Sequence, residues 1–255
     1  TWSATGATSA SGSGTTTDAI TAEGTTTITF TVTDRVGNVA TETAVIKLDQ
    51  TAPTTGTPSI GESSAALYAS GTTLYYAAGA TGESFTVSLA PSDALSGVAS
   101  VAFPTITGLG VGATNGATDT TSPYARTYTF GTGSLTATGA QTLTVTDEAT
   151  NSATTTITLT GDTSGPTGMS ISLSEGTSGT WQSTASVTAT VSGATDAGAG
   201  FAGYSYTLSG ATTAAGSGAT TPSITAEGTT TVTFTATDRV GNTSSATATV
   251  KIDRT

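Results

Sequence analysis

The stretch Ile20-Thr21-Ala22-Glu23-Gly24-Thr25-Thr26-Thr27-Ile28-Thr29-Phe30-Thr31-Val32-Thr33-Asp34-Arg35-Val36-Gly37-Asn38 decides the fold. In it Ile28, Phe30 and Val32 alternate with threonines, so the apolar side chains face one way and the hydroxyls the other. Period-two alternation marks a strand buried on one face and wet on the other, as in an antiparallel sheet packed on a second sheet. Asp34-Arg35-Val36-Gly37-Asn38 ends the run and predicts a tight hairpin. Gly37 is free to take a positive φ, and Asp34 can accept from the backbone two residues on.

The stretch returns at residues 224–242, with only Ile28 and Val32 replaced, by Val232 and Ala236. The repeat extends further: residues 1–51 align without a gap on 205–255 at a constant offset of 204, and 31 of the 51 pairs are identical. The 255 residues therefore span slightly more than one period of a tandem array and read as a window on a longer repetitive protein. Repetition on this scale suits a molecule built for length or valency rather than for a single reaction centre.

Alternation continues elsewhere, at Phe85, Val87 and Leu89; Leu143 and Val145; Met169, Ile171 and Leu173; Val187, Ala189 and Val191; and Tyr204, Tyr206 and Leu208. Thr is the commonest residue, 67 of 255, and its branched Cβ favours strands. No segment has helical periodicity. The expected fold is all-β. A disordered mucin-like stalk, the other reading of so much Thr, Ser, Ala and Gly, is disfavoured because the apolar residues are periodic rather than scattered.

Pro marks the joints. Asp49-Gln50-Thr51-Ala52-Pro53 and Asp162-Thr163-Ser164-Gly165-Pro166 each follow a terminal strand. They divide the chain into an incomplete unit at 1–50, a whole unit at 51–164 with an insertion at Gly108–Ser122, and a second whole unit at 165–255. Residues 165–204 supply the first strands of the third unit, and nothing in 1–50 replaces them. The first unit is expected to expose a sheet edge and half a core, completed by sequence of the same repeat or by a neighbouring chain.

Composition excludes several functions. With no Cys and no His there is no disulfide, thiolate metal site, thiol nucleophile or Ser-His-Asp arrangement. The net charge is −11, and the six basic residues are dispersed, so nucleic acid and anionic membrane are not expected partners. No apolar run is long enough to span a membrane. Paired acids converging with aromatics for glycoside hydrolysis are not evident, and no enzyme is expected.

With strands, turns and joints placed, the chain resembles the bacterial immunoglobulin-like tandem repeats of large extracellular surface proteins and adhesins. Three signatures carry the resemblance: the late hairpin Val232-Thr233-Phe234-Thr235-Ala236-Thr237-Asp238-Arg239-Val240-Gly241-Asn242; the terminal strand running into a joint, Lys47-Leu48-Asp49-Gln50-Thr51-Ala52-Pro53; and an early Asp-x-x-x-Gly loop, Asp93–Gly97 and Asp196–Gly200. It implies tandem immunoglobulin-like antiparallel β-sandwiches arranged end to end, in the stalk or shaft of a bacterial surface fibre or adhesin. Its partners would be neighbouring repeats and identical chains in a fibre. The alternative is a carbohydrate- or receptor-binding module that meets a surface glycan or receptor through loops such as Gly108–Ser122.

No cofactor is required by any motif. Calcium is the one the sequence nominates, because hard cations want several oxygens. Its candidate ligands are Asp49, Asp162 and Asp253, one at each joint, and the simpler reading is that these aspartates cap turns. Lys47 and Lys251 fall on the wet face by alternation, which disfavours an internal Lys–Asn cross-link. The Thr-x-Thr rows have β-propensity as a simpler cause than ice binding. Trp181 and Tyr206 read as core or near-core aromatics rather than as a carbohydrate platform.

Overall fold

The structure, a computed structural model, describes all 255 residues and contains no helix. The first unit comprises β1 (Trp2–Gly6), β2 (Ala10–Gly12), β3 (Gly24–Thr33) and β4 (Val39–Leu48). These make a single four-stranded sheet in the order β2-β1-β3-β4. The middle unit comprises β5 (Ser59–Glu62), β6 (Leu67–Ser70), β7 (Thr73–Ala77), β8 (Ser84–Leu89), β9 (Val98–Ala102), β10 (Thr118–Asp119), β11 (Tyr124–Thr129), β12 (Gly139–Asp147) and β13 (Ser152–Asp162). A sheet ordered β10-β9-β12-β13-β7-β6 packs there against a sheet ordered β11-β8-β5. The third unit comprises β14 (Ser170–Leu173), β15 (Trp181–Gln182), β16 (Ala189–Ser192), β17 (Phe201–Gly210), β18 (Ala214–Ser217), β19 (Gly228–Asp238) and β20 (Thr243–Ile252). Its sheets are β15-β20-β19-β17-β18 and β14-β16.

The periodicity becomes packing directly. In β19, Val232, Phe234 and Ala236 are fully buried while the intervening threonines are half-buried. Burial of a Val- or Phe-sized side chain contributes about 1.5–3 kcal/mol. The middle unit has a core of 19 buried apolar residues, in which Phe85 stacks on Tyr128 at 5.0 Å between ring centres. The third unit has nine such residues. The first has three, Trp2, Ala4 and Ile28, because its sheet has no second sheet to face.

The repeat is preserved strand for strand. Trp2 pairs with Phe30 as Tyr206 pairs with Phe234, and Thr25 pairs with Lys47 as Thr229 pairs with Lys251. Gly6 (φ +107°) and Gly210 (φ +101°) are matched outliers. A Cβ there would meet a carbonyl, of Thr25 at 2.3 Å or of Thr229 at 2.4 Å, so only Gly lets the strand leave the sheet at this point.

Two features depart from the sequence reading. The pairing is not wholly antiparallel: β7 runs parallel to β13, and β15 parallel to β20. In each whole unit an early strand lies beside the terminal one and runs the same way, at the sheet edge in the third unit and inside β6 in the middle unit. Trp181 is also no core residue. It is 59 % exposed, because β15 lies on the sheet edge and places the indole opposite Lys251, whose Nζ is 5.6 Å from the ring. Lys47 and Lys251 do lie on the wet face, exposed and half-buried respectively. Tyr206 is half-buried and meets Phe234 edge-on at 6.1 Å.

Candidate metal centres at the joints

Each joint brings three carboxylates together. Asp49, Asp93 and Asp147 place ligand oxygens within 4.8 Å of one another at the first joint, and Asp162, Asp196 and Asp238 do so at the second. The expectation of one aspartate per joint is therefore corrected to three. The terminal strand of the preceding unit supplies Asp49 or Asp162. The Asp-x-x-x-Gly loop of the following unit supplies Asp93 or Asp196, and its late hairpin supplies Asp147 or Asp238. All three motifs are visible in the sequence, and only the packing of one unit on the next brings them together.

The two sites are built alike. Asp93 Oδ1 accepts from the amides of Leu95 (3.0 Å) and Gly97 (2.9 Å), and Asp196 Oδ2 from those of Gly198 (3.0 Å) and Gly200 (2.7 Å). Asp147 accepts from the Asn151 amide (2.8 Å) and side chain (2.9 Å), and Asp238 from the Asn242 amide and side chain, both at 2.8 Å. Across the joint, Asp49 Oδ2 accepts from the Ser96 amide (2.9 Å) and Asp162 Oδ2 from the Ala199 amide (2.6 Å). The early loops need their closing glycines, Gly97 (φ +87°) and Gly200 (φ +88°), to turn the amides inward. Pro53 and Pro166 are both buried behind the joint, and Thr54 and Thr167 each form a bridge to the residue just before the loop aspartate.

Asp147, Asp162 and Asp238 are buried, and the other three cluster members are half-buried. At 4.8 Å, two carboxylates at an effective dielectric of 20 repel by about 3 kcal/mol. No Lys or Arg answers them, since the single ion pair in the molecule is Arg254–Glu227 at 3.1 Å. The Ser96 hydroxyl beside Asp49, with the amides of Thr51 and Ser96, holds its carboxyl below the usual value. Three hard oxygens held by backbone donors, with charge unneutralised by protein, fit a divalent cation such as calcium, whose remaining positions carbonyls or water can fill. A cleft of about 470 Å³ opens at the first joint, lined by Lys47, Leu48, Asp49, Leu95, Ser96 and Glu148 among others.

Asp253 belongs to neither cluster. Its Oδ1 accepts from the Thr255 amide and hydroxyl at 3.1 Å each, and it occupies the repeat position of Asp49. Asp34, the repeat counterpart of Asp238, caps its own hairpin through the amides of Val36 and Asn38, both at 2.9 Å. The side-chain amide of Asn38, then its backbone amide, lowers the Asp34 pKa.

The insertion in the middle unit is pinned. The Asn115 side chain accepts from the Ile106 amide (2.6 Å) and donates to the Ile106 carbonyl (2.7 Å), and Arg126 Nε donates to the Asn115 carbonyl at 2.8 Å. Tyr128 donates to the Pro104 carbonyl at 2.9 Å.

No family profile matches the chain, and no curated protein matches it. Solved structures similar to it include one from a 1.5-MDa bacterial ice-binding adhesin, 18% identical, covering 91% of this chain and 76% of that one, with a TM-score of 0.48. The fibronectin(III)-like modules of Clostridium thermocellum CbhA are 16% identical over 76% of this chain and 93% of that one, with a TM-score of 0.32. A tetra-tandem repeat from the extending region of a large adhesion protein is 20% identical, over 91% and 57%, with a TM-score of 0.30. The fold of this chain is all-β, with two facing sheets in each of its middle and third units. No helix in it is long and apolar enough to cross a membrane.

Proposed function

We propose that this chain is an extracellular spacer of the immunoglobulin-like tandem-repeat kind, a stalk segment of a bacterial surface protein whose joints are stiffened by calcium. One observation carries the reading: the same three-aspartate arrangement recurs at both joints, each time with one carboxylate from the unit before and two from the unit after. A cation bound there ties two units together and removes the repulsion between the carboxylates. The short joints with buried Pro hold successive units in line, and the net charge of −11 opposes collapse of one rod on another.

Chains of one, two and three periods, measured by small-angle scattering in calcium and in chelator, test this. Length is expected to grow almost linearly with period number in calcium, and the joints to loosen in chelator. A compact multi-period particle in calcium would refute the spacer reading. Identical profiles in the two buffers would refute the role of the metal.

A further inference from the structure

Five buried side-chain polar atoms in the chain have no hydrogen-bond partner, and one of them, Ser96 Oγ, belongs to a loop that carries a cluster aspartate. Buried polar atoms are nearly always paired, because an unpaired one keeps the full penalty of losing water. Ser96 Oγ lies beside the Asp49 carboxyl, close enough to lower its pKa, yet outside hydrogen-bond geometry with it. The amide of the same residue donates to Asp49 Oδ2 at 2.9 Å. Main chain and side chain of Ser96 therefore both meet the aspartate that comes from the preceding unit.

The two joints differ at this point. Asp93-Ala94-Leu95-Ser96-Gly97 aligns with Asp196-Ala197-Gly198-Ala199-Gly200, so a hydroxyl at the first joint stands where the second has only a methyl. The backbones do the same work, since the Ala199 amide donates to Asp162 Oδ2 at 2.6 Å. The carboxylates are seated differently. A Cβ at Gly198 would overlap Asp162 Oδ2, so Asp162 rests directly on the loop backbone. Leu95 takes that place at the first joint, and its side chain denies Asp49 the same seat. One joint has a carboxylate pressed onto the loop, and the other has a carboxylate held off with a hydroxyl beside it.

We propose that Ser96 Oγ is a fourth protein oxygen of the first metal centre, a neutral ligand to the divalent cation that Asp49, Asp93 and Asp147 hold. This rests on the calcium reading of the joints. Calcium takes roughly six to eight oxygens, so three carboxylates leave positions that a hydroxyl can fill. A lone pair of Ser96 Oγ meets the cation while its proton turns to a carboxylate, and the group left unpartnered without metal is satisfied with it. At the second joint Ala199 offers no such oxygen, and the position falls to water.

The test is calcium titration calorimetry on the full chain carrying Asp196→Asn, which leaves the first cluster intact, with and without Ser96→Ala. Ser96→Ala is expected to weaken binding roughly fivefold or more, the order expected for one neutral oxygen contact. In chelator the Ser96→Ala chain should melt no lower than its parent, because the hydroxyl it removes is buried and unpartnered there. The loss then appears only with the cation, which a packing role would not produce. A crystal structure with calcium supplies the second measurement: Ser96 Oγ is expected about 2.3–2.6 Å from the ion at the first joint. Unchanged affinity in Ser96→Ala, or an Oγ turned away from a bound ion, overturns this proposal alone. Absence of any cation from the first site of the parent chain overturns the calcium reading and this proposal with it.

Discussion

The side-chain amide of Asn151, in the late hairpin of the middle unit, donates to the backbone carbonyl of Asp49 at 3.2 Å, across the joint and 102 residues back. Asn242 repeats the contact on the Asp162 carbonyl at 3.1 Å. Each Asn also holds the hairpin aspartate of its own cluster, so one side chain aligns the preceding unit and orients a carboxylate. Asn151→Ala and Asn242→Ala are each expected to cost about 1 kcal/mol in the unit concerned, the ordinary net worth of such hydrogen bonds. Each is also expected to widen the range of angles between the flanking units. Residual dipolar couplings check this: preserved alignment in both variants would show that the contact does not set the joint.

The two aspartate clusters are separate sites and should bind separately. Calcium at 100 times its dissociation constant stabilises the folded state by about 2.7 kcal/mol through mass action. Titration calorimetry is expected to give two cations per chain. Asp93→Asn should remove the first and Asp196→Asn the second, since each leaves the other cluster intact. A stoichiometry of two in either variant would place the cations elsewhere.

Tyr128 tests the middle core by its ionisation. Burial pushes its phenol up to about 12, with the positive charge of Arg126 acting in the opposite direction. A folded value raised above the usual value of 10 means that its contribution is fully present below pH 10 and is lost as pH rises through about 12. Ultraviolet titration should therefore show Tyr128 ionising late and together with unfolding, beside Tyr76, whose phenol burial also raises. Tyr128→Phe should remove one phenol from that late step and cost about 1–2 kcal/mol, because the Pro104 carbonyl loses its donor.

Thr150 is the one residue other than Gly with a positive φ, at +74°. It stands where Gly37 (φ +96°) and Gly241 (φ +91°) close the equivalent hairpins. A branched Cβ in the left-handed region is unfavourable by about 1–2 kcal/mol. Thr150→Gly is expected to raise the stability of the middle unit by about 1 kcal/mol, somewhat reduced by the greater freedom of Gly in the unfolded chain. An unchanged or lowered denaturation midpoint would count against strain at this turn.

Fold class was legible because the signal is local. Ile28, Phe30 and Val32 announce a one-sided strand, and Asp34 to Asn38 announce its turn, within a dozen residues. The joint sites were not legible as sites, because Asp49, Asp93 and Asp147 are separated by unequal stretches that follow no local period. Asp196 was visible in its loop motif and Asp238 in its hairpin, and each reads there as a turn cap. They do cap turns, and they also converge on Asp162, a fact that belongs to the packing of one unit on the next. Trp181 failed for a different reason: a two-residue strand has too little alternation to reveal which face it shows, and its place on an edge is set by β20.

Independent folding should separate the units. Residues 165–255 contain both sheets of the third unit and all nine residues of its core. Their one lost partner across the joint is the middle unit, including the Tyr68 ring on which Arg239 rests at 4.8 Å. An exposed cation–π contact contributes only about 0.5–1 kcal/mol, too little to decide folding. Residues 165–255 alone are therefore expected to melt cooperatively, with slow exchange through β17, β19 and β20. Residues 1–50 have one sheet and three buried apolar residues, below what a cooperative core requires. Expressed alone they should show no cooperative transition and no protected amides at micromolar concentration. Amide exchange on the two pieces checks both statements. A monomeric, cooperatively melting 1–50 would mean that one sheet of this repeat suffices for a stable unit, and the covering strands at 170–192 would then need a reason other than stability.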